Sequence, residues 1–259
     1  MTRIAFTHYG RCGDLVYHTV YCIQRSNGVP YDLHIQTNVP DEHDPGNRRV
    51  FMTPVEAEYV ASILREQPYI RNLTISDEPC IPADDVSLFI DINLFRQRAS
   101  AFAGREIREW PFYALSSMEP ENLSAPWLTV PESDIAPTNK ILICFTGRYK
   151  SAISPNALAP FKDKLVYVGL PREYDMFCSK YFKVDYQPVK SAKELLQIAE
   201  KSLGFIGNIS GQYSFMEGAA ITRILCLPTG GGDVRPYTPN GRAVLDNKKL
   251  IKNVEALLS

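Results

Sequence analysis

The sequence predicts an α/β protein of two Rossmann-like lobes, each built on a parallel sheet, with a ligand cleft between them. Three observations lead there. Short apolar strands alternate with helical segments in both halves. A proline-rich stretch, 119–139, separates the halves, and beyond it the strand–loop–helix pattern starts again. Parallel strands need crossover helices, so this alternation selects parallel pairing. The lobes are expected at 1–133 and 138–259.

Taken in order, residues 3–7 are a short apolar strand, followed by a loop holding Gly10 and Gly13. Leu15, Val16, Val20 and Ile23 then recur at near-helical spacing, and Gly28, Val29 and Pro30 end that helix. Residues 31–36 alternate like a strand, which completes a βαβ unit. Pro54 suits the first turn of a helix reaching about residue 67, and strands are expected at 70–75 and 86–92. The stretch 119–139 carries Pro120, Pro126, Pro131 and Pro137 with no clear period, and reads as a linker. Beyond it, strands are expected at 140–145, 165–168, 203–206 and 223–227. Ser191 with Glu194 three residues later marks a capping box opening the helix 191–202. A further helix carries Phe215, Met216 and Glu217. The tail 246–258 places Leu250, Ile251, Val254, Leu257 and Leu258 on one helical face.

Composition narrows the class. With 45% hydrophobic and 22% charged residues the chain is a folded globular protein. A net charge of −1 predicts no global field toward nucleic acid or an anionic membrane, and leaves room only for a local basic patch. The N-terminus is too weakly basic and apolar for a signal peptide. No stretch has the roughly 18 apolar residues of a membrane span, so a cytoplasmic protein is expected. Cys12, Cys22, Cys80, Cys144, Cys178 and Cys226 have no paired spacing and read as thiols; Cys12 stands apart only because it sits in a glycine-bearing loop. Glycosylation triplets at Asn72, Asn122 and Asn208 read as chance.

Three loops can carry chemistry. The first, His8-Tyr9-Gly10-Arg11-Cys12-Gly13-Asp14, leaves the first strand, where open α/β sheets place ligands. Asp14 falls near a helix start; it is either a reactive carboxylate or a residue that complements the helix dipole. The spacing is not G-x-G-x-x-G, so a nicotinamide cofactor is not expected. The second, Gly207-Asn208-Ile209-Ser210-Gly211-Gln212, again joins strand to helix. Either Ser210 and the amides near Gly211 and Gln212 hold a diphosphate at a helix N-terminus, or Ser210 is a plain serine cap. Glu217 either accepts hydrogen bonds from ribose hydroxyls or faces solvent. The third, Gly147-Arg148-Tyr149-Lys150, offers two cations to a phosphate. Asp91-Ile92-Asn93 hints at a metal-binding acidic motif, but no metal site is expected. Arg96, Arg98, Arg105 and Arg108 form a basic run, either a solvated face or a contact for an anionic acceptor.

These residues carry a resemblance. Gly10 to Tyr17 (G-R-C-G-D-L-V-Y) resembles the glycine–aspartate loop near the start of the heptosyltransferases of glycosyltransferase family 9, and 205–220 resembles their G-N-D-S-G-P-x-H segment. The stretches 67–70, 93–96 and 168–174 are similar to a compact branch of that superfamily found in bacteria and some phages. The resemblance implies a GT-B fold with an acceptor lobe first and a nucleotide-sugar donor lobe second. It implies Asp14 as general base of an inverting, metal-independent transfer needing no cofactor. His8, Tyr9, Gly10 and Gly13 would shape the acceptor loop. Arg148, Lys150, Asn208, Ser210, Gly211 and Gln212 would hold the donor, with Glu217 on its ribose. Ile209 stands where the family has Asp and Ser214 where it has His, so heptose is not carried over as the donor sugar. Three functions follow as expectations: transfer from a nucleotide-diphosphate sugar to a glycan or similar hydroxyl acceptor; the same chemistry on hydroxylated DNA bases in a bacteriophage setting; or nucleotide-sugar binding without catalysis.

Overall fold

The computed structural model describes residues 3–41, 50–102, 104–116, 118–147, 151–229 and 232–259. The chain divides into two compact units: Met1–Leu123 with Trp127–Thr129, and Ser124–Pro126 with Val130–Ser259.

In the first unit the elements run β1 (Ile4–His8), α1 (Cys12–Arg25), β2 (Tyr31–Gln36), α2 (Pro54–Leu64), β3 (Ile70–Ser76), β4 (Leu88–Asp91), a 3₁₀ segment Ile92–Phe102 and α3 (Trp110–Leu115). The strands pair in parallel in the order β3-β2-β1-β4. β1 is buried along its whole length, as a central parallel strand covered on both faces must be. α1 buries Leu15, Val16, Tyr17, Val20 and Tyr21. α2 opens with a capping box: the Thr53 side chain accepts from the Glu56 amide and the Glu56 carboxylate accepts from the Thr53 amide. Part of the proline-rich stretch belongs to this core instead of linking. Trp127 is buried and its indole donates to the Val16 carbonyl at 2.9 Å, while Gln67 bonds both backbone groups of Thr129.

In the second unit the elements are β5 (Ile141–Cys144), a 3₁₀ segment Pro155–Lys164, β6 (Leu165–Tyr167), α4 (Pro171–Lys180), β7 (Asp185–Tyr186), α5 (Ala192–Glu200), β8 (Gly204–Gly207), α6 (Gly211–Gly218), β9 (Arg223–Cys226), β10 (Gly241–Val244) and α7 (Asn247–Leu258). All six strands are parallel, in the order β10-β9-β8-β5-β6-β7. Its core gathers Ile141, Ile143, Leu165, Tyr167, Ile206, Ile224, Leu250 and Val254. Among the described residues no helix is long and apolar enough to cross a membrane.

Both sheets follow one rule. The unit's first strand is central, its second and third lie to one side, and its fourth lies to the other. The order therefore reverses between β1 and β4 and between β5 and β8. In open α/β sheets the ligand crevice lies outside the carboxyl ends of the strands at that reversal.

Candidate functional site

At the first reversal, an asparagine ties the two strand ends together. Asn93, 1% exposed, accepts the Tyr9 amide proton at 2.9 Å, and is itself fixed by Asp91, whose Oδ1 accepts from the Asn93 amide and side chain. Asp91-Ile92-Asn93 thus holds loop to loop. Asp14 is the third residue of α1, in the turn where a carboxylate complements the helix dipole. Its Oδ2 accepts from Arg96 Nη2 at 2.8 Å, and each side chain is 18% exposed. The Arg96 guanidinium lies against the Phe51 ring, 4.6 Å from its centroid, and the Phe95 ring, 4.8 Å away. Two aromatic faces and a carboxylate leave it little freedom.

Behind the pair stand two buried histidines. His8 Nδ1 accepts the Gly10 amide proton at 3.0 Å, so neutral His8 carries its proton on Nε2 and donates to His18 Nδ1 at 3.2 Å. Burial, helped by His18 and Arg96, holds His8 well below the usual histidine range. Burial likewise lowers His18 to about 4, with Asp14 opposing and Arg96 assisting. Gly10 is required by contact: a Cβ there would stand 2.6 Å from both Arg96 Nη2 and His8 Cε1.

The second reversal repeats the device. Asn208, 2% exposed, follows β8 and closes a two-bond ring with Thr146 after β5: Thr146 N donates to Oδ1 at 3.0 Å and Nδ2 donates to the Thr146 carbonyl at 2.9 Å. A Cβ on Gly207 would meet the Cys144 carbonyl at 2.6 Å, so only glycine lets β8 leave the sheet this close to β5. Ser210 caps α6, accepting from the Tyr213 amide at 3.2 Å, and Ser210, Gly211 and Gln212 are half-buried at that helix start. Ser151 pairs with Pro228, which brings the chain back beside the end of β9. Arg148 and Lys150 lie outside the described residues.

The structure bears on several of the residues singled out in the sequence. Glu217 does not face solvent, and both of its carboxylate oxygens are engaged by protein donors. It is fully buried; Oε2 accepts from Arg223 Nε at 2.8 Å and from Nη2, and Oε1 accepts the Tyr237 and Thr238 amide protons at 2.8 Å each. It serves as an interior anchor for the segment leading to β10. Asn208 directs its carboxamide at Thr146 and acts by placing the loops. The arginine run is not one face: Arg96 pairs with Asp14, Arg108 is buried and donates to the Leu123 carbonyl, and Arg98 donates to the Ala114 carbonyl. Burial, reinforced by Glu56 and Asp14, pushes the Cys12 thiol up to about 12, which removes its nucleophilicity at neutral pH. Sequence reasoning misses His18 and Arg96 as neighbours of Asp14. Their only signals are a histidine on the apolar side of α1 and an arginine in a basic run. Among the described residues no group of three or more His, Cys, Asp or Glu is arranged to hold a metal ion.

No protein-family model and no curated protein matches the sequence. Solved structures match its fold. A family 9 glycosyltransferase from Veillonella parvula superposes with a TM-score of 0.67 at 11% identity, covering 99% of this chain and 97% of that one. The E. coli ADP-heptose heptosyltransferase II gives 0.60 at 11% identity over 99% and 98%. E. coli heptosyltransferase WaaC, holding ADP-2-deoxy-2-fluoro heptose, gives 0.59 at 11% identity over 98% and 99%. The E. coli heptosyltransferase TibC, described as iron-containing, gives 0.53 at 14% identity over 93% of this chain and 61% of its own. The chain therefore has the α/β, GT-B-type fold of the family 9 glycosyltransferases. The phage branch expected from the sequence finds no support in these bacterial proteins.

Proposed function

We propose, from that shared fold, that the chain is a glycosyltransferase that moves a sugar from a nucleotide-diphosphate donor to a hydroxyl acceptor with inversion at the anomeric carbon. The observation that carries the reading is the coincidence of fold and chemistry: each sheet reversal places a stitched, glycine-bearing loop at a helix start, one bearing Asp14 and the other Ser210-Gly211-Gln212.

In this reading the second unit is the donor lobe and the first the acceptor lobe. The amides at the start of α6 take the donor diphosphate, since helix N-termini carry unpaired N–H groups and a positive dipole end. Arg148 and Lys150 add cationic charge to the leaving diphosphate. Asp14 takes the proton of the acceptor hydroxyl as its oxygen attacks the anomeric carbon. The bond from that carbon to the diphosphate oxygen then breaks on the opposite face, and the nucleoside diphosphate leaves. Arg96 fixes one oxygen of Asp14 and leaves the other for the hydroxyl. No metal is assigned a step. Because relatives in fold hold ADP or an ADP-sugar, ADP-sugars are the first donors to try. A DNA-base acceptor loses its main motive, because the arginine run does not present a common surface.

The test is turnover of an ADP-sugar, read as ADP release, in wild type and Asp14→Asn. The substitution should lower turnover by roughly 10²–10⁴-fold while ADP affinity stays within about twofold. Equal turnover in the two proteins would overturn the mechanism.

A further inference from the structure

The net charge of −1 conceals a strong partition. The first unit holds 11 arginines, no lysine and 17 carboxylates, a net charge of −6; the second holds 12 lysines, 5 arginines and 12 carboxylates, a net charge of +5. The whole-molecule balance thus leaves room for the local basic patch that the net charge of −1 allows.

Within the second unit four of the twelve lysines, Lys140, Lys162, Lys164 and Lys183, stand at the amino end of the sheet. Lys140 precedes β5, Lys164 precedes β6 and Lys183 precedes β7. The register pairs Ile141 with Leu165 and Val166 with Asp185, so Lys140, Lys164 and Lys183 stand in one row across three neighbouring strands. Lys162 joins them, and Lys140, Lys162 and Lys183 line an open cavity of about 310 Å³ with Asp163, Val184 and Asp185. Lys140 is engaged, donating to the Asp163 carbonyl at 2.7 Å and pairing with Asp185 at 3.4 Å. Lys162, Lys164 and Lys183 are exposed. Lys180, exposed at the end of α4, lies over the Tyr181 ring at 5.2 Å. Phe161, Tyr181 and Phe182 flank these lysines in sequence and are half-buried in the same core.

We infer that this lysine row is a docking surface for an anionic phospholipid bilayer. Lysine is a hydrated point charge on a flexible stem, suited to a diffuse negative surface, whereas discrete phosphates and bases are read by the planar fork of arginine. The row itself contains no arginine. Half-buried aromatics beside the charges suit the headgroup level of a bilayer. The row lies at the opposite end of the strands from the loops at Thr146 and Ser210, so docking leaves those loops free. The inference is independent of the reaction proposed above.

The experiment is flotation of the full chain with vesicles of phosphatidylcholine containing about 30% phosphatidylglycerol, at roughly 0.05 M and 0.5 M salt. Wild type should bind at low salt, release at high salt and ignore pure phosphatidylcholine. Each lysine contributes about fivefold to partitioning, so the triple variant Lys162→Glu, Lys164→Glu, Lys183→Glu should bind at least ~10-fold more weakly. Lys248→Glu, Lys249→Glu, Lys252→Glu makes the same charge change on α7 and should retain most of the binding. Matching thermal melts establish that both variants fold. Three results overturn the inference: no vesicle binding, equal loss in both variants, or binding to a DNA duplex with none to vesicles.

Discussion

Asp14 and Glu217 show how little a carboxylate's identity says without its surroundings. Asp14 keeps partial exposure and pairs with Arg96; Glu217 is sealed among donors from Tyr213, Arg223, Tyr237 and Thr238. Glu217→Gln should therefore be a stability variant. It leaves Arg223 buried without its counter-charge and should cost about 3–5 kcal/mol in urea unfolding; a change below about 1 kcal/mol would contradict the burial. Gly10→Ala should displace Arg96 or His8 and cost roughly 1–3 kcal/mol, measurable by the same method. The two buried histidines give a pH dependence. Each is neutral in the folded protein and takes up a proton near pH 6.5 when unfolded, so the unfolded state binds more protons below that pH. Stability should then fall as pH drops from about 7 toward 5, with a slope approaching about 1.4 kcal/mol per pH unit for each site. His18→Gln should flatten that slope, and an unchanged slope would show that other groups dominate. None of these pairings is legible locally, because Asp14 and Arg96 stand 82 positions apart and only the β1–β4 contact brings them together.

Most elements are legible in the sequence because their signals are local. Central strands such as β1, β5 and β8 are short apolar runs between glycines or prolines, and α5 and α7 carry both caps and an apolar stripe. β10 is not legible: its Gly241, Arg242 and Ala243 show no alternation, and it is a strand only because it pairs with β9. The two-residue β7, the 3₁₀ segments and α3 likewise depend on tertiary contacts. The glycine-bearing loops announce themselves by their glycines, yet the asparagines that hold them look in sequence like ligand contacts or a metal motif. Asn208→Ala removes both bonds to Thr146 and leaves two backbone groups unpaired at the second reversal. It should cost about 2–4 kcal/mol; a thermal midpoint within about a degree of wild type would show the stitch to be dispensable.

At the scale of the whole molecule, the sequence carries the architecture, two parallel Rossmann-like sheets, through its alternation and its repeat after the proline-rich stretch. Bulk composition averages away the charge partition between the units, which shows only when the sequence is counted unit by unit. Fold alone does not fix activity, so the central claim, a nucleotide-diphosphate donor on the second unit, needs its own measurement. That measurement is a thermal-shift series with ADP, UDP, GDP, CDP and TDP on wild type and Arg148→Ala. At about 100 times its dissociation constant a ligand stabilises by roughly 2.7 kcal/mol, which moves the midpoint by several degrees in a chain of this size. One nucleotide, ADP first among them, should shift wild type and shift the variant much less. No shift with any of the five, or an equal shift in both proteins, would contradict it.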